Sequence, residues 1–138
     1  MASVFVLHAA ITWVLVGLIW TIQVVHYPLM AYVGPSAYAD YQRRHMQRIT
    51  WLVAVLMPFE VLLSAALVLF LPHALTMIGV LLVALIWAST AMFQAPAHER
   101  LQRGFAAEVH QFLVRSNWIR TALWTARGML AGALLLML

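Results

Sequence analysis

The sequence predicts an all-helical membrane protein: four transmembrane helices in an up-down bundle, with two amphipathic cytoplasmic connections and both termini outside. Three observations carry this reading. Of the 138 residues 65% are hydrophobic and 9% charged, at a mean hydropathy of +0.93, which leaves too little polar surface for a soluble domain of this size. Four apolar runs, Val4–Val25, Ile49–Leu71, Ala74–Phe93 and Trp118–Leu138, are each long enough to cross ~30 Å of hydrocarbon at ~1.5 Å per residue. Finally, the basic residues are placed asymmetrically. All eight are arginines (43, 44, 48, 100, 103, 115, 120 and 127), and they lie in the connection after the first run, in the connection after the third, or in the fourth run.

The first run has no basic residue before it, the earliest being Arg43, so it lacks the charged start of a signal peptide and should stay as a helix. Pro28 is expected to end it. Gly34-Pro35 then breaks the chain, and Ser36 is the predicted N-cap of an amphipathic segment, Ala37–Arg48. Tyr38, Tyr41, His45 and Arg48 fall on one stripe of that segment. The second run follows and Pro72 closes it, while Pro96 closes the third. Glu99–Asn117 alternates charge with Leu101, Phe105, Val109, Phe112 and Leu113, which predicts a second amphipathic segment leading into the fourth helix. The chain ends within that helix, so no soluble tail is expected to carry function. One four-helix domain over 1–138 accounts for the whole sequence.

By the positive-inside bias the two arginine-bearing connections face the cytoplasm, and the turn Leu71-Pro72-His73, which has no arginine, faces outward. The expected location is therefore the bacterial inner (plasma) membrane, crossed several times. The formal charge of +4 then has its source in topology, and no nucleic-acid partner is expected. With no cysteine, a disulfide scaffold, thiolate metal sites and thiol redox chemistry are excluded.

The halves of the chain resemble each other weakly. Gln23-x-x-His26-Tyr27-Pro28 ends one apolar run, and Gln94-Ala95-Pro96-Ala97-His98 ends another. Each is followed by a basic connection containing a second histidine, His45 or His110, and then a tryptophan. This reads as two parallel hairpins, or else as the Pro, Trp and Arg that border any membrane hairpin.

The polar residues locate the chemistry. His26, His45, His98 and His110 fall at or just beyond the cytoplasmic ends of the four helices, where an up-down bundle brings them together, and imidazole is the commonest metal ligand. His8 and His73, near the outer border, are poorer candidates. Against a ligand role stands the ring's ordinary tolerance of membrane interfaces, and no pair has the H-E-x-x-H or i, i+4 spacing of a local metal motif. Glu60 and Arg127 each lie ten residues into a membrane run, so both should turn from lipid and meet. A structural ion pair fixing helix register would look the same. Asn117, Arg120, Thr121, Trp124, Arg127 and Gly128 make one polar stripe on the fourth helix, which Gln23 and Gln94 would join from the first and third. The outer half is otherwise nearly pure Leu, Val, Ala and Met, so the pocket should open toward the cytoplasm.

Gln94-Ala95-Pro96-Ala97-His98 followed by Asn117-Trp118-Ile119-Arg120-Thr121 resembles the second half of the anthrone oxygenase-like family of small four-helix membrane proteins. In that family an apolar helix ends in a V-P-L-N-like turn and an N-x-x-R motif follows a Trp-containing connection. His98 stands where the family often has Asn. Gly17 through His26-Tyr27-Pro28, with Pro58 and Glu60 later, also resembles a group of uncharacterised bacterial four-helix membrane proteins. The resemblance implies oxygen-dependent oxidation of a flat phenolic or polycyclic substrate.

Together these readings predict a metal-dependent oxidoreductase or oxygenase, taking a small apolar or aromatic substrate from the cytoplasmic side. His26, His45, His98 and His110 would ligate iron or copper, with Glu60 as ligand or proton acceptor. Arg120 and Arg127 would stabilise developing charge. Asn117 would orient ligands, as would Gln23 and Gln94 on the cofactor side, beside Trp124. Tyr27, Tyr41, Trp51, Trp118 and Trp124 would line an aromatic slot. Two alternatives stay open: a bis-histidine haem b protein, and a small transporter or binding subunit using Glu60 and Arg127. The expected partners are the lipid bilayer and the substrate, with a homo-oligomer open.

Overall fold

A computed structural model describes residues 2–137 and is helical throughout, with no strand among the described residues. Four long helices follow one another: α1 (Ala2–Met30), α2 (Pro35–Phe70), α3 (Ala74–Leu101) and α4 (Ala107–Leu135). Helices α1, α2 and α3 are long and apolar enough to cross a membrane. Helix α4 is of similar length but carries Glu108, Arg115, Arg120 and Arg127, which lower its apolar content.

Pro28 and Pro96 do not end their helices, contrary to the sequence expectation. One turn before each, the backbone widens into a π turn, Ile22–His26 in α1 and Thr90–Gln94 in α3. There the Tyr27 N–H reaches the Ile22 carbonyl and the Ala95 N–H reaches that of Thr90, five residues back. That shift re-registers the ladder so that each proline falls in the first turn of the following segment, where a missing N–H costs least. The π turns sit at matched places in the two halves, and such turns are frequent at functional sites.

The first amphipathic segment is continuous with the second apolar run, giving a 36-residue α2. At ~1.5 Å per residue it spans roughly 54 Å, well beyond the ~30 Å of a hydrocarbon core. Gly34, in extended conformation before Pro35 at the first helical position, caps it in place of Ser36. The stretch expected as a single amphipathic segment, Glu99–Asn117, is split instead. Helix α3 runs to Leu101, Gly104 turns the chain at φ +143°, which favours glycine, and α4 begins at Ala107.

Helix α1 packs most extensively on α4, and α4 on α3, while the α2–α3 seam is looser. Three apolar layers fill the centre. Phe5, Leu67 and Leu134 lie at the end of the short 71–73 turn. Leu15, Ile19, Met57, Ile86 and Trp124 fill the middle. Ile22, Tyr27, Met30, Tyr38, Leu101 and Leu113 close the end that bears the two basic connections. The Tyr38 stripe thus faces the bundle, with Tyr38 fully buried and edge-on to Phe105 at 5.0 Å.

Candidate functional site

Two buried polar assemblies lie in the bundle, one in each half. Toward the basic end a cavity of about 200 Å³ opens among all four helices. Its walls are mostly apolar, with Leu15, Leu18, Ile19, Val53, Met57 and Trp124 among them, and its polar groups are Tyr27, His45, Thr50, Thr90, Gln94, His98 and Arg120. Thr50 on α2 and Ala95 on α3, both exposed, border it, so its mouth lies on the α2–α3 seam. Further along that seam Pro58, Val61, Leu62, Ala84 and Trp87 form a wholly apolar surface depression.

The polar end is held in place from below. Hydrogen bonds join the Tyr27 hydroxyl to His98 Nε2 (2.8 Å) and the Gln42 amide to His98 Nδ1 (2.8 Å). Either orientation of the Gln42 amide leaves both imidazole nitrogens occupied and the ring fixed. Tyr27 also ties in α4, its backbone carbonyl accepting from His110 Nε2 at 2.8 Å. Arg120 Nη1 donates to Asn117 Oδ1 at 3.3 Å, while its Nε is buried without a partner among the described residues. An unpaired guanidinium N–H at the border of an apolar cavity is a ready donor to an oxygen of a bound molecule.

Gln23 and Gln94, carried on the two π turns, both turn to α4. Gln23 Oε1 accepts from Asn117 Nδ2 at 2.8 Å, and its Nε2 donates to the Val114 carbonyl at 3.1 Å. Gln94 bonds Ser116 and Ser89, each at 3.2 Å. These amides are largely satisfied by their neighbours, so they fix the helices that frame the cavity. Of the residues expected on the cofactor side, Gln94 and Trp124 line the cavity and Gln23 does not.

The predicted gathering of four histidines takes a different form. His26 and His45 rings lie 4.4 Å apart, His45 and His98 5.6 Å, and Tyr27 and His98 5.5 Å. His110 is separately engaged, against Phe105 at 5.5 Å and on the Tyr27 carbonyl. The donors present do not fit a four-histidine iron or copper centre. His98 has both nitrogens in hydrogen bonds and His110 has Nε2 in one. Among the described residues no three His, Asp or Glu side chains are grouped to share a metal ion. Nor does the pair His26–His45 fit axial haem ligation, because rings at 4.4 Å leave no room for a porphyrin between them.

Glu60 is not with those histidines. It belongs to the second assembly, in the other half of the bundle, together with His8, a poorer candidate from sequence. Glu60 Oε1 accepts from Thr12 Oγ1 at 2.8 Å and from Arg127 Nε at 2.9 Å, and His8 Nε2 lies 3.4 Å from it. Arg127 Nη2 is within 2.7 Å of His8 Nε2 and also bonds Ser64 Oγ. All five side chains are buried. Gly79 on α3 makes room, since a Cβ there would come within 2.5 Å of Arg127 Nη1. His73 has a local role, accepting from the Leu75 N–H as the N-cap of α3.

Sequence reasoning missed Gln42, Thr12 and Ser64 as parts of these assemblies. Gln42 was accessible in principle, because it lies four residues after Tyr38 and three before His45 on the same helix face. Of the expected aromatic slot, Tyr27 and Trp124 line the cavity, whereas Trp51 and Trp118 are exposed on the outside of the bundle. No protein family, curated protein or solved structure matches the chain.

Proposed function

We propose that the chain is a multi-pass protein of the bacterial inner membrane that binds a small apolar or aromatic molecule carrying an oxygen acceptor. In this reading α4 is a fourth span and both termini face outward, as the arginine distribution favours. The observation that carries the proposal is the apolar cavity bordered by Arg120, whose buried Nε is unpartnered, beside the fixed Tyr27–His98 pair.

The cavity's size favours one class of molecule. About 200 Å³ is below the ~300–1,000 Å³ of pockets for drug-sized ligands, so a single substituted ring fits better than a polycycle or a haem. The mouth on the α2–α3 seam favours entry from the bilayer, where an apolar phenol or quinone would partition, over entry from the cytoplasm. Arg120 would hold a phenolate or carbonyl oxygen, and the Tyr27 hydroxyl and His98 imidazole would exchange a proton with it, with Gln42 orienting the ring. For oxidation of a phenol by dioxygen, the chemistry the family resemblance implies, this cavity would be the substrate site, with Arg120 stabilising the phenolate formed when the hydroxyl gives up its proton. The transporter alternative would rest on Glu60, whose Oε1 is held by Arg127 and Thr12 while its Oε2 is buried without a partner among the described residues.

The test is binding to the protein in nanodiscs, comparing 4-propylphenol with propylbenzene. The phenol should bind more tightly by about tenfold, the worth of one hydrogen bond to a charged group, and Arg120→Gln should abolish that preference. Equal binding of both probes, or an unchanged preference in the variant, would overturn the proposal.

A further inference from the structure

Outside the cavity, a separate pocket of about 320 Å³ is lined by His26 of α1 and by Tyr41, Arg44, His45 and Arg48 of α2. The α2 residues are spaced three, one and three apart, which puts them on one helix face. Arg48 immediately precedes Ile49, where the apolar run of α2 begins, so the face lies at the depth where headgroups meet hydrocarbon. Arg44 and Arg48 are exposed. Arg44 holds Asp40 through Nε at 2.7 Å, and Arg48 has no acidic partner among the described residues. His26, also in the lining, stacks on Tyr41 at 6.3 Å and has a buried Nε2 without a partner among the described residues.

We infer that this pocket binds a phosphate oxyanion, supplied by the headgroup of an anionic phospholipid. Two guanidinium groups and a tyrosine make a donor set suited to phosphate oxygens, whose charge and several acceptor positions match planar arginine forks, and His26 Nε2 joins it when that nitrogen carries the proton. The location selects the lipid as the source, because a headgroup at this depth needs no transfer from either phase. His45 lines both this pocket and the interior cavity, so a bound headgroup stands against one wall of the cavity. The site is distinct from the phenol-binding reading and does not depend on it.

The experiment is native mass spectrometry of the full chain released from nanodiscs containing mixed phosphatidylglycerol and phosphatidylcholine. Wild type should retain phosphatidylglycerol selectively. The R44Q/R48Q variant should retain at least about fivefold less than the charge-matched control R43Q/R103Q, because the control leaves the pocket's two charge-assisted donors in place. All four arginines are exposed, and circular dichroism checks that each variant keeps its helix content. Equal loss in the two variants would overturn the site, leaving only diffuse attraction of basic residues to the membrane. Displacement of the lipid by millimolar inorganic phosphate, with no preference between lipids, would overturn the assignment to a lipid headgroup.

Discussion

Arg127 of α4 and Glu60 of α2 meet at 2.9 Å, with side chains 1% and 0% exposed. Each is held by further partners, Thr12 on the carboxylate and His8 and Ser64 on the guanidinium, so the charges are removed from lipid and water together. The pair joins two helices through groups that are costly to leave apart. Replacing either residue alone, as Glu60→Gln or Arg127→Met, should destabilise the fold by about 3–5 kcal/mol, since the other charge is then stranded. The double replacement should recover part of that loss. Thermal unfolding in detergent supplies the four values of the cycle, and additive losses would mean that the two side chains do not interact.

Gly79 gives a second route to the same assembly. A methyl group there would press on Arg127 Nη1, and the guanidinium has little freedom to retreat because three partners hold its other nitrogens. Gly79→Ala should therefore cost on the order of 1–3 kcal/mol, the usual range for overpacking, despite alanine's better helix propensity. In the E60Q/R127M background the cost should shrink. The same measurement checks it: an equal cost in both backgrounds would place the strain elsewhere.

Much of this ion pair was legible in the sequence, because a charge ten residues into an apolar run has few places to go. Its other members were not. His8 lies near a helix end, where a histidine can equally face the interface, and Thr12 and Ser64 are ordinary residues of an apolar helix until a charge lies beside them. Pro28 and Pro96 misled for a different reason. A proline removes one donor, but a π turn upstream absorbs the loss, and nothing in local composition announces that turn. Convergence of His26, His45 and His98 followed from helix ends meeting in a bundle, whereas the separate engagement of His110 depended on the turn at Gly104.

Topology is open to a direct check. Reporter fusions at the C-terminal end should behave as periplasmic, and fusions near Arg103 as cytoplasmic. The opposite pattern would invert the bundle and move the phosphate pocket to the other leaflet.

Metal removal separates the ligand-binding reading from the metal-centre expectation. Treating the purified protein with a chelator should leave 4-propylphenol binding unchanged, because Arg120 and the Tyr27–His98 pair need no ion to present their donors. Elemental analysis checks the premise. Stoichiometric iron or copper, lost in both H26A and H45A, would restore the metal-centre reading and require His98 to give up one of its two hydrogen bonds.

Tyr27 has two contacts that a single substitution can separate. Its hydroxyl bonds His98 beside the cavity, and its backbone carbonyl accepts from His110 at the α1–α4 contact. Tyr27→Phe keeps the ring and the carbonyl but deletes the hydroxyl, leaving His98 Nε2 buried without its partner. The expected loss of stability is about 1–3 kcal/mol, the cost of one unsatisfied buried group, with the bundle otherwise intact. Propylbenzene binding should be nearly unaffected because the apolar walls are unchanged. The advantage of 4-propylphenol should fall, since the Tyr27 hydroxyl is gone, His98 is held by Gln42 alone, and Arg120 is the remaining fixed donor. His110→Phe should show the converse pattern, a loss of stability with the phenol preference retained, because His110 does not line the cavity. Binding isotherms for the two probes in both variants decide the matter. If Tyr27→Phe and His110→Phe shift phenol binding equally, the hydroxyl has no separate role at the cavity and Tyr27 acts only by joining helices.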